Sequence, residues 1–206
     1  MTIKKINKQA FSKFVETMLE TEKIYAPQPK GDKFHYARLN KAKDLRLDFD
    51  VTLLPPKSYL QPPTEKLVSF DGQQNYNSEF DDRAFVILGV HPYDMHAINQ
   101  MDILFSQDNY DNHYMQRRKN ATIVAIDVVT ASENVFASSM QTAVVDSGFD
   151  VLLTDIGDYY VVQADTEKGN ALINKGGEFE DASEQDLAKR EEVQQRNRKN
   201  LNKHKL

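Results

Sequence analysis

Residues 83–105 read RAFVILGVHPYDMHAINQMDILF, and the order of patterns within them decides the fold. Residues 83–90 form a short, almost wholly apolar run, the signature of a buried strand. Pro92 comes just after it, and proline suits the first turn of a helix because its missing N–H has no intrahelical partner there. From that start Met95, Ile98, Met101 and Phe105 share one helical face. A second apolar run rich in β-branched residues, ATIVAIDVV at 121–129, completes a strand–helix–strand unit, in which Met95, Ile98 and Phe105 are expected to be buried against the two strands.

Outward from this unit, residues 149–154 and 159–163 flank Ile156, Gly157 and Asp158 with the spacing of a hairpin, and residues 166–173 suit a short helix. Toward the amino terminus, Phe11, Phe14, Val15, Met18 and Leu19 recur at helical spacing behind Asn7, a suitable cap. Residues 25–44 carry prolines, a glycine and mixed charge without a sustained period, which predicts an irregular connection. Leu45, Leu47, Phe49 and Val51 alternate as in a half-buried strand. Two proline pairs, Pro55–Pro56 and Pro62–Pro63, predict an extended surface segment. Near the other end, Ser183 and Asp186 suggest a capping box for a helix over 184–203 whose large aliphatics are Leu187, Val193 and Leu201. The expected fold is α/β, a mixed sheet with flanking helices. It comprises an amphipathic docking helix in 1–24, a core in 25–175, and an extended polar helical linker or arm in 176–206.

The 206 residues carry 31 acidic and 26 basic side chains and a net charge of -5, which gives no footprint for a polyanion and argues against nucleic acid. No run approaches the roughly 18 apolar residues of a membrane span, and the start lacks a secretory apolar stretch, so the expectation is a cytoplasmic protein without membrane insertion. There is no cysteine. That excludes disulfides, thiolate nucleophiles, cysteine-held zinc and ordinary iron–sulfur ligation within these residues.

Other side chains invite chemistry. His91, Asp94, His96 and His113 have donor types that suit zinc or iron(II). Their spacing opposes this, because His96 lies about 140° round a helix from His91 at roughly 100° per residue. Ser138 and Ser139 lack a G-x-S-x-G elbow, and no Gly-rich phosphate motif is present. Arg117, Arg118 and Lys119, just before a buried strand, read more readily as a solvated turn than as a phosphate grip. The cations Arg196, Arg198, Lys199, Lys203 and Lys205 make the tail locally basic and suited either to solvent or to an acidic partner.

Three segments carry a family resemblance: GVHPYDMHAINQMD at 89–102, DNYDNHYMQRRKNATIVAID at 108–127, and residues 135–173, which open VFASSMQ. Together they resemble the iron–sulfur (beta) subunits of cytosolic sulfhydrogenase and anaerobic sulfite reductase complexes. In that family the first segment reads G-V-R-P-C-D and the third opens C-F-C-x-S-M-G. Pro92, Asp94, Phe136, Ser139 and Met140 match this framework, whereas Tyr93, Val135 and Ala137 stand at the thiolate positions. His91 and Ser138 complete the altered region, and residues 179–201 resemble the helical link that leads into a two-cluster ferredoxin module.

The resemblance implies a structural and docking subunit of a multi-subunit oxidoreductase, without catalysis of its own. Its interface would lie around His91, Tyr93, Asp94 and Val135 to Met140. 4Fe–4S clusters and flavin are then expected only in a further carboxy-terminal module or in sister subunits. Two alternatives remain: the amino-terminal domain of a longer electron-transfer subunit with clusters beyond residue 206, and a free-standing metal-binding protein or enzyme using His91, Tyr93 and Asp94.

Overall fold

An eight-stranded mixed sheet organises the chain in the computed structural model, which describes residues 1–72, 75–131 and 133–201. In chain order the elements are β1 (Thr2–Asn7), α1 (Lys8–Thr21), β2 (Ile24–Lys30), β3 (Lys33–Arg38), β4 (Val68–Phe70), β5 (Tyr76–Ser78), β6 (Phe85–Val90), α2 (Pro92–Phe105) and α3 (Asn112–Asn120). They continue with β7 (Ala121–Ile126), β8 (Val151–Asp155), β9 (Tyr159–Ala164), α4 (Glu167–Ile173), β10 (Glu180–Asp181) and α5 (Glu184–Asn200). Strand order is β10-β1-β9-β8-β7-β6-β2-β3, and β4 and β5 form a separate ribbon. The four strands β2, β6, β7 and β8 run parallel, and the sheet ends on antiparallel pairs at both sides.

The parallel centre is buried on both faces, which is why β6 and β7 are continuous apolar runs rather than alternating ones. Val86, Leu88, Val124, Ile126 and Leu153 turn to one cluster with α1 and α4, whereas Phe85, Ile87, Ile123, Ala125 and Leu152 turn to another with α2 and α3. On the first face, α1 starts at Asn7, whose side chain accepts from Gln9 N, and buries Phe11, Phe14, Val15 and Met18. Each such side chain contributes roughly 1.5–3 kcal/mol. On the second, Pro92 opens α2, Met95 and Ile98 are fully buried, and Met101 and Phe105 pack at the margin of the cluster.

The hairpin of β8 and β9 forms as the spacing requires, and Thr166 caps α4 by accepting from Gly169 N. Several expectations are overturned. Residues 25–44 are not an irregular connection: β2 and β3 pair from Tyr25–Arg38 to Lys30–Lys33 around Gly31. Pro27 and Pro29 are tolerated because β2 pairs with β6 only at Ile24 and Tyr25, and farther along the loop covers that side, with Arg46 N donating to Pro27 O. Leu47 and Phe49 are buried as their alternation requires, yet no strand forms there; an isolated bridge joins Phe34 to Thr52.

Residues 2–7 precede α1 as a strand of the main sheet, paired with β9 over six residues. Arg117 to Lys119 form the last turn of α3, not a solvated turn. Arg117 donates to Leu60 O and pairs with Glu65, and Arg118 donates to Asp102 and Gly148 O. Among the described residues no helix is long and apolar enough to cross a membrane. Lys203 and Lys205 lie outside the described residues, as does the end of the expected 184–203 helix.

Candidate functional site

The residues singled out at positions 91–94 and 135–140 follow the carboxyl ends of β6 and β7, where open α/β sheets place their ligand crevices. A bulge between Leu88 and Val90 ends β6, with Gly89 at φ 90°. A Cβ at Gly89 would stand 3.0 Å from Leu47 and 3.1 Å from Pro27, so glycine serves both the backbone angle and the close approach.

Beyond the bulge His91 is completely buried and stacks on Phe49, ring centroids 4.0 Å apart and planes 9° from parallel. Its Nδ1 lies 2.5 Å from the Tyr93 hydroxyl, which itself donates to Asp50 O at 2.8 Å. A phenol has one proton to give, so the fully satisfied arrangement has Nδ1–H donating to Tyr93 and Nε2 carrying a lone pair. Nε2 is buried without a partner. Burial pushes the His91 pKa down to about 3, holding the ring neutral. Burial also raises the Asp94 carboxyl to about 7, partly opposed by Lys57, and raises the Tyr93 phenol well above its ordinary value.

The segment after β7 is built from successive turns. Ser139 N donates to Phe136 O, Gln141 N to Ser138 O and Thr142 N to Ala137 O, and Gln141 sits at φ 58°. Helix α5 holds this segment. Ser138 N donates to Leu201 O at 3.1 Å and Ser138 Oγ to Asn197 O at 2.8 Å, so Ser138 serves carbonyls at the end of the helix. Asn197 Nδ2 in turn donates to Val128 O, and Gln194 Nε2 donates to Asp127 Oδ2. Thus α5, which has few aliphatic side chains to bury, lies on its own domain through buried polar ones.

These constraints gather Tyr93, Val135 and Ala137 into the wall of one apolar pocket of about 150 Å³, completed by Val51, Asn134 and Thr142. Phe136 and Met140 also line it, and they are 46% and 56% exposed. A phenol, an isopropyl group and a methyl group do not supply the thiolate donor set of an iron–sulfur cluster, so these residues do not fit one. Nor do the four metal candidates converge. His96 Nε2 lies 2.8 Å from Val144 O, His113 stacks on Phe80, and His91 is turned to Phe49 and Tyr93.

Sequence reasoning missed Asn134 and Thr142, which have no periodic signal, and the partnership of Ser138 with α5. It did mark Phe49 and Val51, through the alternation of residues 45–51, although under the wrong secondary structure. No family model matches the chain. The sulfhydrogenase 2 subunit beta of Pyrococcus furiosus is 31% identical over 205 residues, covering 97% of this chain and 60% of that protein.

Proposed function

We infer that the chain belongs to the sulfhydrogenase beta-subunit family, and from that premise we propose that it is a structural and docking subunit, or domain, of a cytoplasmic multi-subunit iron–sulfur and flavin oxidoreductase. The observation that carries this reading is the meeting of Tyr93, Val135 and Ala137 around one apolar pocket with exposed Phe136 and Met140. Where the family motif carries thiolates, these residues offer a surface for a partner's apolar side chains. A thioether and a benzyl ring exposed together form the adaptable apolar contact that protein interfaces favour. No electron-transfer step is assigned to the pocket.

Affinity purification of the tagged chain from its own cell extract under anaerobic conditions, with identification of bound proteins, tests the proposal. Recovery of flavin- and cluster-bearing subunits with the wild type, and their loss with Phe136→Asp and Met140→Asp, is the expected result. Equal recovery with both folded variants overturns it.

A second reading is favoured by one observation, that the chain spans about 60% of the length of the relative it matches. In that reading it is the cluster-free domain of a longer electron-transfer subunit. Reading the gene past the codon for Leu206 separates the two, because cysteine motifs there give the longer subunit.

A further inference from the structure

A second and larger cleft, of about 520 Å³, opens between α5 and the carboxyl ends of β7 and β8, a position separate from the apolar pocket. Its polar wall comprises Lys189, Glu192 and Arg196 from α5, Asp127 just after β7 and Asp155 at the end of β8. Among the described residues Asp155 is paired with Lys8, but Lys189, Glu192 and Arg196 make no ion pair with one another or with any other residue. Val129, Ile156 and Val193 supply an apolar wall.

Asp127 is the unusual member. It is 1% exposed, and its Oδ2 accepts from Thr154 Oγ1 at 2.6 Å and from Gln194 Nε2 at 3.2 Å. Its Oδ1 has no hydrogen-bond partner. A buried acceptor left without a donor costs about 1–3 kcal/mol, so such atoms are few in native proteins and each calls for a physical reason, a bound group among them. The carboxyl is therefore oriented through one oxygen and uncommitted through the other.

We propose that this cleft binds a small zwitterion of the α-amino acid kind with a sizeable apolar side chain. The ligand's carboxylate lies with Lys189 and Arg196, its ammonium is received by Asp127 with Glu192, and its side chain covers Val129, Ile156 and Val193. A bare anion would meet carboxylates on the same walls, and a bare cation would meet the two unpaired bases. A zwitterion answers both charges, and the apolar wall selects what it carries. The volume falls in the usual range of small-molecule sites.

Indole fluorescence gives a direct test because the chain contains no tryptophan. Fluorescence anisotropy of L-tryptophan is titrated with the full chain, then repeated with N-acetyl-L-tryptophan, which lacks the cation, and L-tryptophanamide, which lacks the carboxylate. The expected result is saturable binding of L-tryptophan with Kd below about 1 mM, at least tenfold weaker for both blocked forms. Arg196→Gln, an exposed substitution, weakens it at least fivefold, and Asp127→Asn at least tenfold. Absence of saturable binding overturns the proposal, as does equal binding of the blocked forms. Equal binding to Arg196→Gln also overturns it, and that variant keeps the test valid should Asp127→Asn disturb the fold.

Discussion

Gln141 holds φ 58° where the family motif quoted above carries glycine. A non-glycine residue in the left-handed region carries a strain of roughly 1–2 kcal/mol. The turn outlasts the residue that suits it because Ser138 and Thr142, on either side, are tied to Leu201 and Ala137 by backbone hydrogen bonds. Gln141→Gly is therefore expected to leave the melting temperature unchanged or raise it, and Gln141→Val to lower it by the equivalent of about 1 kcal/mol or more; thermal denaturation of the pair checks this.

Nearby, a buried imidazole and a half-buried carboxyl act oppositely with pH. His91 has a folded pKa of about 3 against 6.5 ordinarily, so the unfolded state binds the extra proton and stability falls as pH drops from 6.5 toward 3. Asp94 has a folded value of about 7 against 3.8, so the folded state holds the proton more tightly and stability falls as pH rises from about 4 through 7. Melting curves across pH 3–8 should show Asp94→Asn gaining on the wild type as pH rises through that window. His91→Phe should gain on it as pH falls below 6.5. The sequence marked both residues by their neighbours in the GVHPYD motif, but neither the Phe49 stack nor the Asp50 carbonyl is legible there, because both come from a loop far upstream in the chain.

At the scale of elements, the two terminal helices are held by different physics. Phe11, Phe14, Val15 and Met18 seat α1 in the apolar core, whereas α5 rests on Gln194, Asn197 and Asp186 with Leu201 beyond its last turn. A net hydrogen bond contributes about 0.5–1.5 kcal/mol, less than one buried leucine or phenylalanine. Amide hydrogen exchange on the isolated chain should therefore be faster across residues 184–200 than across 8–21. Asn197→Ala should accelerate exchange in α5 and in the 136–142 turns while leaving α1 unchanged. Apolar period made α1 and α2 legible in the sequence. It was blind to α3, which buries only Tyr114 and Arg117, and to the packing of α5, a helix marked by its capping box and buried through Asp186, Gln194 and Asn197.

At the scale of the whole molecule, β1 joins what looked like an appended arm to the sheet: it lies between β9 and β10. Removing residues 1–7 would strip β9 of one of its two neighbours and leave a long edge open to pairing with other chains. That truncated chain is expected to aggregate or to lose its cooperative thermal transition, and light scattering with calorimetry decides. The parallel centre could be read because full burial requires unbroken apolar runs. The flanks could not, because β1 is buried at Ile6 alone and β2 contains two prolines, so their pairing depends on partners distant in sequence. The two hydrogen bonds from Ser138 to the end of α5 have a mechanical consequence. Tension applied to the chain at Leu201 is delivered to the turns carrying Phe136 and Met140, so a load on the end of α5 and the shape of the apolar pocket are coupled as a lever is to its fulcrum.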